Sequence, residues 1–218
     1  MDAIGRMKVA FKYMKDIGLI KSQLTYGPGF VKPSAKAHRL YRAEQPKKLF
    51  TPVQINSMLA AAKPQMKAMI WLGLFAGFGN TDCGTAEQKH FHGEWVEYHR
   101  PKTGVRRKAW LPPQAVEDIT KINWPLRTKY GNSWTQDRKS NPISAEFRKL
   151  CKPLGIELGF YALRHTCATI GSRSKDQVAV NYVMGHIAKG MEDTYREEVD
   201  DQRLRGVGEA ILNWLEAS

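Results

Sequence analysis

The stretch FYALRHTCATI, residues 160–170, decides how the rest of the chain is interpreted. Its apolar residues Leu163, Cys167 and Ile170 recur at helical steps, which predicts a helix with one apolar face. Arg164 lies among these apolar residues, where a guanidinium group must find an anionic partner. Two partners are open: an acidic side chain at the helix surface, or a phosphate group of a ligand.

The balance of charge favours a polyanionic ligand. Lys and Arg number 34 and Asp and Glu 21 in 218 residues, a formal net charge of +13. Because the cations are spread from Lys8 to Arg205, a broad positive surface is expected, and nucleic acid is the leading partner. A basic surface without such a partner is the alternative. Hydrophobic residues make up 42% of the chain, enough for one domain of ordinary size and a smaller second one.

Cysteine usage and hydropathy favour a cytoplasmic protein. Cys83, Cys151 and Cys167 are odd in number and lack the spacing and neighbouring ligands of a zinc site, so we expect a reducing compartment and no metal. The longest apolar run, 68–79, is about half the length that crosses a bilayer, and the charged start of the chain lacks a signal-peptide core. We therefore expect no membrane association and, with a nucleic-acid partner, a location at the nucleoid.

The chain divides into a short opening region and one larger domain. Apolar residues recur at helical steps over 3–17, which predicts an amphipathic helix that Gly18 can end. Residues 27–48 are basic and rich in Gly and Pro without sustained periodicity, which predicts a linker. We expect residues 1–26 to be a fragment of a second domain and residues 49–218 to form the main one.

The main domain is expected to be α+β, mainly α, with helices around a small antiparallel sheet. The sheet signal is WVEYHRPKTGVRRKAWL, residues 95–111, in which two strand-like runs flank a KTG turn. Thr51 followed by Pro52 is a capping signal that opens the first helix of this domain. The predicted helical segments are 52–63, 68–78, 113–122, 141–150, 160–170 and 204–215.

Several motifs then occur in an order that resembles a known family. ALRHTCAT at 162–169 is followed by MGH at 184–186 and by Tyr195, nine residues after the histidine of MGH. PKTGVRRKAWLPP precedes them at 101–113. Each motif alone is weak, but this order and spacing resemble the catalytic domain of tyrosine recombinases, the phage integrase family. The likeness covers residues 49–218, and the opening helix and linker are similar to the tail end of that family's separate core-binding domain.

The resemblance implies a strand-breaking site with a tyrosine nucleophile. Tyr195 would attack a phosphate and hold DNA as a 3′-phosphotyrosine, while Arg164 clamps non-bridging oxygens. His186 would donate a hydrogen bond, and Lys102 would protonate the leaving 5′ oxygen. A phenol has a pKa of about 10, so its attack needs such cations and donors. The resemblance implies no metal and no cofactor such as ATP, because side chains neutralise the charge and the phosphotyrosine stores the bond energy. The candidate supporting residues are Tyr161, His165, Asp82 and Asn80.

Two positions depart from the family's pattern. Where the family has TGLR followed by an acid, this chain has AGFGNTD at 76–82, so Gly79 replaces the first arginine and Asp82 is the acid. Tyr161 replaces the family's histidine three residues before Arg164 and keeps a hydroxyl donor but no imidazole. The combination of GFGNTDC and FYALRHT is similar to an integrase-like subfamily of planctomycete-type bacteria that lacks this arginine.

Three arginines of the hairpin and one amide could replace the missing phosphate clamp. Arg100, Arg106 and Arg107 flank Lys102, and Asn80 lies next to the vacant position. The favoured interpretation is that all three arginines contact DNA backbone or solvent.

The sequence supports one function and two alternatives. The first is a site-specific DNA recombinase or integrase that acts on double-stranded DNA and self-associates on it. The second is a truncated or decayed integrase that only binds DNA. The third is a small helical transcription regulator, which explains the charge but not the ordered motifs. Taken singly, Tyr195 is also explained as a packed aromatic and His186 as a capping or core histidine.

The amphipathic segment 204–215 is expected to pack on its own core, with docking on a neighbouring protomer as the alternative.

Overall fold

The computed structural model describes residues 3–22, 24–101, 103–135, 141–186 and 198–217. The chain separates into two compact units, Met1–Lys47 and Lys48–Ser218. The boundary between the two units falls at the end of the basic segment that the sequence predicts as a linker.

The first unit contains two helices among its described residues. Helix α1, Ala3–Asp16, confirms the predicted amphipathic helix, and a turn at Gly18 follows it. Helix α2, Ala35–Glu44, lies inside the predicted linker, whose lack of periodicity did not indicate it. Its Ala, Lys, Arg, Leu and Glu residues favour a helix, and Ser34 Oγ accepts the amide of Ala37 at 3.1 Å. Propensity and capping, which the periodicity test does not weigh, explain this helix.

The second unit is mainly helical and contains one small sheet. Its helices are α3 Pro52–Ala61, α4 Pro64–Phe75, α5 Asn80–Thr85, α6 Pro113–Thr120, α7 Pro142–Cys151, α8 Ala162–Gly171, α9 Gln177–Met184 and α10 Asp201–Glu216. Short 3₁₀ helices cover Gln88–His90, Lys152–Leu154 and Ser172–Ser174. The strands are β1 Phe91–His92, β2 Trp95–His99 and β3 Arg106–Trp110, antiparallel in the order β1-β2-β3. This confirms the expected α+β, mainly α class. None of the described helices is long and apolar enough to cross a membrane.

The predicted hairpin is present as β2 and β3. Tyr98 pairs with Arg107 and Val96 pairs with Ala109 across the two strands. Burial alternates along both strands, so these two pairs share the inner face of the sheet. The two-residue strand β1 was not predicted, because so short a run shows no alternation.

Helix α4 is the centre of the second unit. Every residue from Met69 to Phe75 is buried, and the helix packs against α6 and α8. A helix that is apolar on all sides must be surrounded by protein. The buried helix predicted over 68–78 is therefore confirmed, although it begins earlier, at Pro64, and ends at Phe75.

Two predicted helix starts are confirmed by their capping contacts. At α3, Thr51 Oγ1 accepts the amide of Gln54 at 3.2 Å, and Gln54 Oε1 accepts the amide of Thr51 at 3.0 Å. At α7, Asn141 Oδ1 accepts the amide of Ser144 at 3.2 Å. These contacts fix the entry of the chain into both helices.

Helix α10 packs on its own unit, as expected. Its buried face is formed by Leu204, Val207, Ile211 and Leu215, and it contacts α3, α8, α9 and β3. Ion pairs hold its first turns: Lys108 Nζ lies 2.8 Å from Asp201 Oδ1, and Arg203 Nε lies 2.6 Å from Asp176 Oδ2. The helix therefore secures β3 against the core.

Two glycines of α10 test this packing. A Cβ at Gly208 would overlap the ring of Trp110, whereas nothing lies within 4 Å of a Cβ at Gly206. Gly208→Ala should lower the free energy of unfolding by about 1–3 kcal/mol through overpacking. Gly206→Ala should raise it by about 0.5–1 kcal/mol, because alanine favours the helix interior. Urea unfolding of both variants measures the effects, and shifts of the same sign would contradict the packing.

Candidate functional site

Arg164 lies near the start of α8 with only 3% of its surface exposed. Its Nη1 donates to the carbonyl of Gly77 and its Nη2 to the carbonyl of Met184, each at 2.5 Å. These carbonyls lie at the C-terminal ends of α4 and α9, where backbone acceptors lack helical partners. Among the described residues no carboxylate pairs with Arg164, so the acidic partner considered from the sequence is not found there.

Two glycines allow this arrangement of carbonyls. Gly77 has a φ of +60°, and a Cβ there would lie 2.7 Å from Met184 Sδ. Gly185 has a φ of +57°, and a Cβ there would lie 3.3 Å from Arg107 Cδ. The glycine of MGH is therefore needed both for its left-handed backbone and for the close approach of the hairpin.

The buried position of Arg107 differs from the expectation that all three hairpin arginines contact DNA backbone or solvent. The alternation of β3 turns its side chain inward, and 2% of the residue is exposed. The guanidinium carbon lies 4.2 Å from the ring centre of Phe78 and 5.1 Å from that of Tyr98. Its Nη2 lies 3.0 Å from Asp82 Oδ2. Charged groups are buried when such a partner compensates them, which explains the difference from the expectation.

The N–H groups of Arg107 are nevertheless unsatisfied. Within the described part of the chain, none of Nε, Nη1 and Nη2 has a hydrogen-bond acceptor. The ion pair of Nη2 with Asp82 Oδ2 at 3.0 Å is the compensation that the described residues give this guanidinium. Unsatisfied donors on a buried charge are costly and call for an external acceptor.

Asp82 connects this guanidinium to position 79. Its Oδ2 accepts the amide of Gly79 at 2.8 Å and also faces Arg107. Gly79 has φ −93° and ψ −177°, an extended backbone that any residue adopts. A Cβ there would meet Asp82 Oδ2 at 3.6 Å and Tyr161 Cε2 at 3.7 Å, which are ordinary contacts. The backbone therefore does not require glycine at position 79.

Arg100 and His186 lie beside the two buried arginines. A Cβ at Gly185 would lie 3.6 Å from Arg100 Cδ, so the stems of Arg100 and Arg107 both cross the turn before His186. Although much of His186 is exposed, partial burial of its imidazole lowers its pKa, and the charges of Arg164 and Arg100 lower it further. Burial also lowers the pKa of Arg164, and the charges of Arg100 and Arg107 add to that effect.

Arg100, Arg107 and Arg164 are called the arginine cluster below. The cluster carries three positive charges, and Asp82 is the carboxylate that the described residues place against it. A partly buried cluster with more positive than negative charge is suited to binding an anion. No group of His, Cys, Asp or Glu in the described ranges is arranged to hold a metal ion.

The remaining supporting candidates lie around this cluster or turn away from it. Tyr161, 51% exposed, precedes α8 and stacks edge-on with exposed His165 at 5.4 Å between ring centres. Asn80 Nδ2 donates to Ser144 Oγ of α7 at 2.8 Å, so the amide proposed as a replacement donor is engaged elsewhere. Tyr161 therefore keeps access to a ligand, whereas Asn80 holds α5 to α7.

Arg106 lies on the opposite face of β3 from Arg107. It is exposed and pairs with Glu97 at 3.2 Å and with Glu198 at 3.4 Å. The two neighbouring arginines of the hairpin thus face different environments. Lys102 and Tyr195 lie outside the described residues, and their assignments stay predictions from the sequence.

Sequence reasoning missed the aromatic groups that hold Arg107. Phe78 and Tyr98 stack against it, and Tyr98 is its direct cross-strand partner. The signal was present in the alternation of the predicted hairpin, which places Tyr98 and Arg107 on one face once the strands are paired. Only the tertiary fold adds Phe78 and Asp82 to that pair.

Comparison with solved structures identifies the fold. No family model matches the sequence, and no curated protein matches it. The integrase from mycobacterium phage Brujita matches with a TM-score of 0.53 and 17% identity, covering 94% of this chain and 75% of that chain. A lambda integrase tetramer bound to a Holliday junction matches with a TM-score of 0.61 and 16% identity, covering 91% of this chain and 60% of that chain. XerA recombinase matches with a TM-score of 0.54 and 14% identity, covering 93% of this chain and 71% of that chain.

These likenesses show the fold. The chain has the fold of a tyrosine recombinase catalytic domain, with helices around a small antiparallel sheet. The fold expected from the resemblance of the motifs is thus confirmed.

The environment of His186 predicts its titration. Its pKa should lie below the ordinary value of 6.5, because burial and two nearby guanidinium groups favour the neutral imidazole. The unfolded chain then binds more protons just below pH 6.5, so the stability contributed by this group falls on acidification. Arg100→Ala should raise the pKa but leave it below 6.5, since burial is the larger cause.

Proton NMR of the imidazole Cε1–H measures this pKa. Arg173→Ala, which removes an exposed arginine on the 3₁₀ helix after α8, is the matched control and should leave the midpoint unchanged. A wild-type midpoint at or above 6.5, or no response to Arg100→Ala, would contradict the described environment.

Proposed function

We propose that this chain is a site-specific DNA recombinase that breaks and rejoins DNA strands through a 3′-phosphotyrosine at Tyr195. One observation carries the proposal: a recombinase fold holds a partly buried, undercompensated arginine cluster where β3 and the start of α8 meet the end of α9. His186 lies at the edge of this cluster, and the sequence sets Tyr195 nine residues later. The chain spans 60–75% of the length of the structures compared above, so the activity belongs to the proposal and not to the fold.

The proposed reaction exchanges one phosphate ester for another in each step. The Oη of Tyr195 loses its proton to solvent and attacks phosphorus, the bond from phosphorus to the 5′ oxygen breaks, and that oxygen takes a proton from Lys102. A 5′ hydroxyl of the receiving strand then returns a proton to Lys102 and attacks the phosphotyrosine, which restores the phosphodiester and releases the tyrosine oxygen, and that oxygen takes up a proton from solvent. Because the number of phosphate ester bonds is the same after each step, no ATP is consumed.

Arg164 suits the task of stabilising the charge on phosphorus. A guanidinium carries five N–H donors, of which the two backbone carbonyls engage one on each terminal nitrogen. The remaining donors and the full charge are left for non-bridging oxygens. In a site that excludes water, a fixed donor of this kind stabilises the transition state more than it would in solution.

His186 suits the task of a neutral donor. Its lowered pKa keeps the imidazole uncharged near neutral pH, so it can donate one hydrogen bond without adding a fourth cation to the arginine cluster. The donated bond would reach a phosphate oxygen once DNA occupies the site.

Double-stranded DNA is the proposed partner. The net charge of +13 supports binding to the phosphate backbone, and one structure of the same fold is a tetramer bound to a Holliday junction. We propose that several protomers assemble on DNA and that exposed Arg106 contacts the backbone. Residues 49–218 would then be the catalytic domain, and residues 1–26 the end of a core-binding domain joined by 27–48.

Tyr195→Phe tests the nucleophile. Incubation with nicked suicide DNA from the protein's own element should give a protein–DNA adduct that resists denaturant in the wild type. Tyr195→Phe should abolish the adduct while DNA affinity changes little, because only a hydroxyl group is lost. Denaturing electrophoresis and a binding titration measure the two effects.

The matched control is Tyr130→Phe, which removes the hydroxyl of a tyrosine that is 76% exposed, and it should keep the adduct. DNA binding without any adduct in the wild type would leave the protein as a DNA-binding module. An adduct that survives Tyr195→Phe and maps by mass spectrometry to another tyrosine would refute the assignment.

A further inference from the structure

We propose that Arg107 is the second arginine that binds the scissile phosphate, supplied by β3 in place of a side chain at position 79. The proposal rests on the proposed function for the reaction that it serves. The ligand is a phosphate diester, and the guanidinium of Arg107 touches one of its non-bridging oxygens. Arg107 is then a catalytic residue that the pattern of motifs does not reveal.

Asp82 supports this replacement. Both the Nη2 of Arg107 and the Cβ that a side chain at position 79 would have lie within 4 Å of Asp82 Oδ2. A carboxylate in this place therefore orients a guanidinium whether it arrives from position 79 or from β3. In this chain position 79 supplies none, and the carboxylate faces Arg107.

The unsatisfied donors of Arg107 point to a missing acceptor. The side chain is 98% buried, and apart from the ion pair of Nη2 with Asp82 its three nitrogens have no acceptor among the described residues. A buried ion pair that served the fold alone would have its donors satisfied, because each unmet donor costs stability. A phosphate oxygen supplies two lone pairs and a negative charge to such donors.

The surroundings of Arg107 hold it in a fixed position. Phe78 and Tyr98 stack on the guanidinium, and the hairpin pairs Tyr98 with Arg107 directly. A donor that is fixed before the reaction needs no reorganisation when charge develops on the phosphate. This arrangement suits a transition-state contact better than a mobile surface arginine does.

The same packing brings Arg107 to the residues already assigned to the phosphate. Its stem lies against Gly185, directly before His186, and its charge acts on Arg164. Two elements, β3 and α8, therefore present cations to one place beside the end of α9, where His186 lies. The phosphate held there is contacted by two guanidinium groups from different parts of the chain.

Binding of inorganic phosphate tests the anion site without any DNA chemistry. Calorimetry at low ionic strength should show binding by the wild type and at least tenfold weaker binding by Arg107→Ala. Arg173→Ala removes one exposed arginine and should bind as the wild type does. Circular dichroism establishes that each variant is folded. Arg107→Lys keeps a charge opposite Asp82 without the planar fork, and it should also bind more weakly.

A neutral phosphate then separates contact with the ligand from a structural role. Suicide DNA is prepared with a phosphate or with a methylphosphonate, which lacks one charged oxygen, at the scissile position. Arg107→Ala should slow adduct formation by about 100- to 1000-fold on phosphate, the loss typical of one fixed donor. On methylphosphonate DNA the rate of adduct formation by Arg107→Ala should approach that of the wild type, since less charge needs to be neutralised.

The two arms distinguish failure of this proposal from failure of the proposed function. Equal phosphate binding by wild type and Arg107→Ala, or no binding by either, overturns the assignment of Arg107. Equal slowing of Arg107→Ala or Arg107→Lys on both DNA substrates also overturns it, because that result indicates a structural ion pair. Absence of any adduct in the wild type rejects the recombinase function, and the phosphate titration then decides the anion site alone.

Discussion

The burial of two guanidinium groups is the constraint on which the structure of this site depends. Arg164 is held by the carbonyls of Gly77 and Met184, and Arg107 faces Asp82. A buried cation is tolerated only when carbonyls, carboxylates or a ligand compensate it. The ends of α4 and α9, the start of α5 and the hairpin therefore converge on one place. Removing Arg164 would leave carbonyls after α4 and at the end of α9 unpaired, and removing Arg107 would leave Asp82 without its cation.

The position of a phosphate clamp is set by where guanidinium groups lie, and not by the segment that supplies them. At position 79 the backbone is extended and a Cβ would make only ordinary contacts, so a side chain would be accepted, yet the residue is glycine. The acid three residues later is kept, and it faces an arginine from another element. In the sequence, the segment around Gly79 lacks an arginine. In the folded chain, Arg107 supplies a cation beside Asp82, the carboxylate of that same segment.

Much of the fold could be predicted from the sequence, because local signals decided it. Strand alternation predicted the hairpin, an apolar run predicted α4, and Thr51 predicted the start of α3. Helix α2 was not predicted because its ten residues lie in a basic segment rich in Gly and Pro and are too few to show a sustained periodicity. The burial of Arg107 was not predicted, because a charged residue in a strand is usually exposed. The groups that bury it, Phe78 and Asp82, come from a distant part of the chain. The assignments of Lys102 and Tyr195 rest on the resemblance of the motifs, in their order and spacing, to the tyrosine recombinase family.

Moving the arginine back to position 79 tests the account most directly. Adduct formation on suicide DNA is compared for Gly79→Arg, Arg107→Ala and the double variant that combines them. If Arg107 binds the scissile phosphate, Gly79→Arg alone should form the adduct no faster than the wild type, because two guanidinium groups then compete for Asp82. The double variant should form the adduct at least tenfold faster than Arg107→Ala. A double variant no faster than Arg107→Ala, together with a Gly79→Arg protein faster than the wild type, would contradict it.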